Sequence, residues 1–446
     1  MKRKILTNYV KEVFVTPGSD SEWFGYYNYD TLNHDQTKIL CNRSKNEAVA
    51  PAKGMVLELG YYDIPNGEWH HIGESDSWNW QQGCMMQWIP GKGNENKVIY
   101  NRSRNGHLIS VIHDIETGED RELDWSIYGL TPDGKKSIAL NMERSYWCRA
   151  YHYQSVANKD YDVPVPDDDG VFEIDLQSNT RRRIIDIHDV MRVDCEDNFE
   201  SQKHWIEHIM VSPTGKRFCF LHRYSPVNDT YHYHTRLCIA DIDGRNLQVV
   251  PGWRDYGLSH FGWRDDDSFS IYSVKISGIQ KNMLGLQSAT KGAPSLFDRL
   301  KREFYLKAKS FIPEPIRRRM KGGNYAYMYR HFKLKDGKFE PVASWRHPLM
   351  SIDGHPSFTH DGKYMLTDTY ADKNDYRRLL VYNPTTGKCL QIASFYEPLV
   401  GNPARCDLHP KLCKDNNYIV VDTTNSGKHQ MVMLQLNWGL IKKEIG

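Results

Sequence analysis

A strand, a tight turn and a second strand recur seven times along this 446-residue chain, and no other feature constrains its fold as much. The clearest copy is Asp353-Gly354-His355-Pro356-Ser357-Phe358-Thr359-His360-Asp361-Gly362-Lys363-Tyr364-Met365-Leu366-Thr367. There Asp361-Gly362 supplies the backbone freedom of a short hairpin connection, and the apolar run behind it has strand character. Related turns stand at Asn33–Gln36, Ile89–Gly91, Thr131–Gly134, Ser212–Gly215, Arg264–Asp267 and Cys413–Asn416. Each unit is followed by a second hairpin signal, at Tyr62–Gly67, Asp114–Gly118, Ile174–Asn179, Ala240–Gly244, Leu334–Gly337, Tyr382–Gly387 and, most weakly patterned, Leu436–Gly439. Two hairpins make a four-stranded sheet, and seven sheets around an axis make an all-β, seven-bladed β-propeller forming one domain over residues 1–446. Residues 1–20 are expected to close the ring, with Val13-Phe14-Val15 adding a strand to the last blade, since blades one and seven would otherwise keep bare edges.

A net charge of +2 creates no global field that selects nucleic acid or a membrane as partner. No run approaches the ~20 apolar residues of a membrane span, and Met1–Tyr9 is basic without the apolar core of a secretory signal. These features predict a cytoplasmic protein. Nine cysteines, odd in number and without CxxC spacing, read as small core residues in a reducing compartment.

Two segments interrupt the repeat. Blade three carries an insertion from Arg144 to Asp169 that ends in Asp167-Asp168-Asp169, expected to be a solvated acidic loop. Blade five carries a longer one, 276–325, in which Leu296, Phe297, Leu300, Phe304, Ala308 and Phe311 recur at helical spacing before Pro313 and Pro315. Residues 295–321 hold nine basic and three acidic side chains. That pattern predicts an amphipathic helix laid over one face, or a lid or a contact with an anionic polymer or membrane surface.

Blade two opens on Trp78-Asn79-Trp80-Gln81-Gln82-Gly83-Cys84-Met85-Met86-Gln87-Trp88. Large flat side chains here suit packing between blades. Trp80, Gln81 and Gln82 would equally suit a sugar-binding rim, where rings stack on pyranose faces and amides bond hydroxyls.

The chemistry concentrates in one register. Five residues before the second position of the turn stand His208, His260, His355 and His409 in blades four to seven, against Tyr29, Met85 and Ile127 in blades one to three. The first strand of each blade is nearest the axis, so four imidazoles are expected to converge from one side of the channel. Imidazoles with a carboxylate nearby are a setting for a divalent metal or for acid–base catalysis. Asp407, two residues before His409 and on the same strand face, is the natural carboxylate. Arg405, on the same alternation, is a candidate binder of an acidic substrate.

Glu207-His208-Ile209-Met210-Val211-Ser212-Pro213-Thr214 through Leu221-His222-Arg223, then Ser259-His260-Phe261-Gly262-Trp263, Gly354-His355-Pro356-Ser357-Phe358 and Asp407-Leu408-His409-Pro410 resemble successive blades of the oligogalacturonate lyases, the propellers of polysaccharide lyase family 22. The resemblance spans roughly residues 205–435. It implies a metal-assisted lyase that acts by β-elimination on an acidic, uronate-containing oligosaccharide. By motif His208 matches the base that removes the C5 proton, His260 and His409 match metal ligands, and His355 is similar to a further site histidine. Taken with the residue reading, His260, His355, Asp407 and His409 are expected to hold a divalent ion, manganese in the family, with Arg405 at the substrate carboxylate and Arg223, Trp80, Gln81 and Gln82 at the sugar. The chain departs from the family's last block, where Ala404 or Arg405 and Asp407 replace a glutamine and a histidine. A non-catalytic propeller that binds glycan or protein around a structural metal is the alternative reading, since fold alone does not fix function.

Overall fold

The computed structural model describes residues 4–46, 49–144, 155–156, 160, 162–194, 201–225, 233–276 and 327–446. Seven antiparallel sheets follow one another in chain order, each running from an inner strand outward. The inner strands are Ser21–Trp23, Gln87–Trp88, Gly129–Leu130, Lys203–Val211, Tyr256–Asp265, Ser357–Phe358 and Lys411–Leu412. Ring closure follows the sequence expectation: Val10–Val15 pairs with Gln430–Leu436 as the outer strand of blade seven. The chain end before it goes further, because Ile5–Leu6 adds a fifth strand to Cys389–Tyr396 of blade six. Val10–Val15 thus covers the edge that blade seven would otherwise leave bare.

Most of the seven turns share a backbone, Arg264–Asp267 being without a left-handed residue. The last position lies in the left-handed region at Gln36, Gly134, Gly215, Gly362 and Asn416 (φ 58°, 66°, 78°, 66° and 59°). A backbone bond such as Gly362 N–H to Thr359 O, 2.7 Å, closes the turn. Gly134 is needed for a second reason, since a Cβ there would come within 1.9 Å of Pro90 O in the neighbouring blade's turn. Blades pack face to face through β-branched and leucine side chains. Leu379, Val381, Ile419, Val421 and Leu434 are all fully buried in one such layer.

Three expectations meet the structure differently. Leu436–Gly439 is not a hairpin: Asn437 caps a helix, Trp438–Ile445, by accepting from Leu440 N–H at 3.1 Å. No hairpin is required there because the N-terminus supplies the fourth strand. In the acidic run, Asp167 and Asp168 are exposed, but Asp169 is buried, accepts from Gly170 N–H at 2.7 Å and lies 3.5 Å from the Arg144 guanidinium. The basic segment 295–321 lies outside the described residues, as does the 276–325 insertion save for Ile276.

Candidate active site

The four register histidines meet at the axis. In blades four and five the inner strand is long and carries a β-bulge, where the ladder skips from Glu207 to Met210 and from Leu258 to Phe261. His208 and His260 sit in those two bulges, turned out of the ladder toward the channel. In blades six and seven the inner strand is only two residues long, and His355 and His409 precede it by two positions. Ring centroids lie 6.4 Å apart for His208–His260, 4.0 Å for His260–His355 and 4.5 Å for His355–His409. His208 and His409 hold left-handed backbone (φ 54° and 44°), a costly conformation for a histidine that clusters at functional sites.

Depth separates the four. His355 and His409 are buried, while His208 and His260 keep 13% and 12% side-chain exposure. Burial, with His260 beside it, holds the His355 imidazole well below its usual range; burial and His355 do the same to His409. Both rings are therefore neutral near pH 7 and offer lone pairs. Asp368 fixes the orientation of His355, accepting from its backbone N–H at 2.7 Å and lying 2.9 and 3.1 Å from Nδ1. Burial pushes the Asp368 carboxyl up to about 6, against the pull of that backbone N–H. A carboxylate that accepts from Nδ1–H leaves Nε2 as the acceptor atom, the arrangement that metal-binding histidines use.

Nε2 of His355 and Nε2 of His409 are buried and have no hydrogen-bond partner among the described residues. Together with Asp407, these two residues offer donor atoms that all lie within 4.8 Å of one another. Orphaned polar atoms of this kind are rare unless something binds them. The donor set of two imidazoles and a carboxylate suits a borderline or hard divalent cation. His260 is outside this tight set. Its Nδ1 lies 3.3 Å from Asp353 Oδ1, whose other oxygen accepts from Ser259 Oγ at 2.5 Å.

Asp407 is held by two guanidinium groups, Arg377 at 2.6 Å and Arg405 at 2.8 and 2.9 Å. Burial alone would raise its pKa, but Arg377 and then Arg405 outweigh burial and keep the carboxyl well below the usual carboxylate range. Arg405 is the more exposed of the two arginines (34% against 3%) and lies over the Tyr370 ring at 5.3 Å. Behind His208, Glu207 accepts from Arg223 and from Trp205 Nε1, each at 2.6 Å, and lies 3.4 Å from His208 Nε2. Arg223 thus reaches the site through Glu207.

The amide and tryptophan segment divides. Trp80 is buried between blades one and two against Trp23, Trp78 and His429 (centroids 4.8, 5.1 and 4.8 Å), and its indole N–H donates to Val49 O at 2.7 Å. This is the packing role that large flat side chains suit. Gln81 donates to Arg405 O at 2.7 Å and so steadies the loop that carries the arginine. Gln82 lies deeper, its Nε2 3.0 Å from the Tyr128 hydroxyl.

Sequence reasoning missed the floor of the site. Phe24-Gly25-Tyr26-Tyr27-Asn28-Tyr29 leaves blade one and crosses the channel. Its start is tied to blade seven, where Asp422 accepts from Phe24 and Gly25 N–H. Its far end reaches blades five and four, with the Tyr27 hydroxyl donating to Phe261 O at 2.8 Å and Asn28 Nδ2 to Ile209 O at 3.0 Å. Gly25 (φ 119°) makes the entry possible, since a Cβ would lie 2.4 Å from the Tyr29 hydroxyl. Tyr26 and Tyr27 end among the histidines: Tyr26 stacks on His208 at 5.2 Å, and Tyr27 lies 5.0 Å from His355. Asp353 had a signal in the sequence, because Asp353-Gly354-His355 repeats the spacing of Asp407-Leu408-His409. Tyr26, Tyr370, Asp368 and Arg377 had none.

No family model matches the chain, and no curated protein matches it by sequence. Among solved structures it is similar to an oligogalacturonate lyase in complex with manganese, at 14% identity and a TM-score of 0.59, over 98% of this chain and 99% of that one. It is similar also to the oligogalacturonate lyase from Vibrio parahaemolyticus, at 12% identity and a TM-score of 0.58, over 97% and 98% of the two chains. Identities this low carry fold rather than chemistry: along nearly its whole length, the chain has the seven-bladed β-propeller fold of the oligogalacturonate lyases.

Proposed function

We propose that the protein is a metal-assisted lyase that cleaves uronate-containing oligosaccharides by β-elimination. The observation that carries this reading is the pair of buried, partnerless Nε2 atoms on His355 and His409 beside Asp407, with the more accessible His208 and Arg405 around them. A divalent cation, manganese by analogy, would be held by His355, Asp407 and His409, with His260 adjacent. Bound there, it would supply the positive charge that offsets a substrate carboxylate and makes the neighbouring C5 proton easier to remove.

The chain's own residues account for the rest. Arg405, at the accessible end of the arginine pair, can turn from Asp407 to a substrate carboxylate while Arg377 keeps Asp407 ionised. His208, held by its stack on Tyr26 and with Nε2 backed by Glu207 at 3.4 Å, accepts the C5 proton at Nδ1, and the 4-linked oxygen departs with the C4–O bonding pair as the C4=C5 double bond forms. Arg223 keeps Glu207 in place behind the base. Gln81 holds the Arg405 backbone, and the acidic oligosaccharide would enter over Arg405 and Tyr370.

The test is to incubate the protein with Mn²⁺ and a panel of uronate oligomers and follow the ultraviolet absorbance of the α,β-unsaturated product. His208→Asn, chosen because asparagine tolerates the left-handed backbone, should lower kcat by ~10²–10⁴-fold with the melting temperature retained. No product from any uronide, with glycan binding unaffected by the substitution, would leave the non-catalytic binding propeller as the reading.

A further inference from the structure

The Tyr26 side chain is 3% exposed and sits in the middle of the histidine cluster. It lies parallel to His208 (5.2 Å, 13°) and edge-on to His409 (4.8 Å, 63°) and to His355 (6.0 Å, 79°). The hydroxyls of Tyr27 and Tyr29 and the amide nitrogen of Asn28 are used within the protein, while Asn28 Oδ1 is buried without a partner among the described residues. Tyr27 donates to Phe261 O, Asn28 Nδ2 to Ile209 O, and the Tyr29 hydroxyl both donates to Gln82 O at 2.6 Å and accepts from Tyr26 N–H at 2.8 Å. No hydrogen bond of the Tyr26 hydroxyl is seen among the described residues, whereas the hydroxyls of Tyr27 and Tyr29 each have a partner.

Phenylalanine would serve the packing equally well, so the hydroxyl is the unexplained atom. The Tyr27 ring lies beside that of Tyr26, with centroids 4.8 Å apart. A tyrosine phenol, with an ordinary pKa near ~10, is a donor at neutral pH.

We infer that the Tyr26 hydroxyl donates the hydrogen bond that registers a bound uronide against His208. This rests on the reading of the site as uronide-binding. The stack ties the two side chains together, so a sugar oxygen held by the phenol has a fixed place relative to the imidazole. The crossing segment then has a function besides filling the channel: it carries a substrate contact from blade one into the half of the ring that holds the histidines.

Tyr26→Phe tests this by deleting only the oxygen. Against trigalacturonate and other uronate trimers, equilibrium affinity measured by calorimetry should fall ~3–10-fold, the range of one neutral hydrogen bond. Where turnover is measurable, kcat/KM should fall at least as far. Bound metal and melting temperature should stay at wild-type values, because no protein partner is lost. Tyr27→Phe provides the contrast, since its hydroxyl is already engaged by Phe261 and its loss should lower the melting temperature. Tyr26→Phe with wild-type affinity and wild-type kcat/KM overturns the inference. Wild-type protein that binds these trimers without cleaving them removes the lyase reading alone, whereas protein that binds none of them removes both.

Discussion

Blades one to three and blades four to seven share one backbone plan and fill its innermost position in opposite ways. In the first group Tyr29, Met85 and Ile127 are 4%, 0% and 0% exposed and pack into a single apolar cluster. In the second, His208, His260, His355 and His409 stand at the same register, with Asp353 beside His260, Asp368 beside His355, and Asp407 held by Arg377 and Arg405. Met85 even shares the left-handed backbone of His208 and His409 (φ 64°). The unusual backbone occurs in both groups, at Met85, His208 and His409, so the side chain placed on it decides whether the position packs or reacts. Closing one half of the ring with apolar side chains has a physical consequence for the other. It removes water from one wall, so charges and imidazoles on the facing wall interact in a low-dielectric setting.

Removing a donor from the reactive half should have the largest effect. His409→Asn keeps the backbone but deletes one of the two orphaned imidazoles, so bound divalent metal, measured by elemental analysis, should drop from about one per chain to a small fraction. His208→Asn should leave metal content intact while abolishing turnover. If both variants lose metal equally, the division of roles between deep and accessible histidines fails.

A histidine of blade seven that serves packing, away from the register, should behave in the opposite sense. His429 is buried against Trp80 and Trp23, with Nε2 2.8 Å from Ala404 O, and burial pushes its pKa down to about 4 despite that carbonyl. An unfolded chain takes up this proton near pH 6.5, while the folded chain resists until about pH 4. Stability should therefore decline as pH falls through that window, by up to ~3 kcal/mol from this residue. His429→Gln should flatten the dependence of melting temperature on pH between those limits. A slope identical to wild type would mean that the Trp–His layer does not carry the effect.

The smallest expected change is a control on the apolar register. Ile127→Val deletes one methylene from a fully buried position, which should lower stability by ~1 kcal/mol in denaturant melts. Turnover and metal content should be unchanged. Activity loss there would show that the two halves are more tightly coupled than their chemistry suggests.

The ladder of turns was legible because most have a left-handed last position, which Gly134, Gly215, Gly362 and Asn416 provide and which shows in the sequence as Asp-Gly, Thr-Gly or Asp-Asn. The histidine register was legible for the same reason: repeats of known period can be aligned by eye, and Asp407 came with His409 through strand alternation. The pairing of Val10–Val15 with the last blade followed from the need to cover an edge. Leu436–Gly439 was misread because polar residues around a glycine look alike at a hairpin and at a helix cap, and only the position of the N-terminal strand distinguishes them.

Pattern within a repeat, then, is local: hydrogen-bonded hairpins and side-chain alternation are set by residues a few positions apart, and the amino-acid order determines them. What lies at the axis is contributed by every blade at once. Tyr26 meets His208 across 182 positions, Asp422 reaches back to Gly25, and Arg377 leans on Asp407 from the adjacent blade. Contacts of that separation depend on the ring having closed, so the depth ordering of the four histidines, the second grip on Asp407 and the tyrosine floor were decided by the tertiary structure alone.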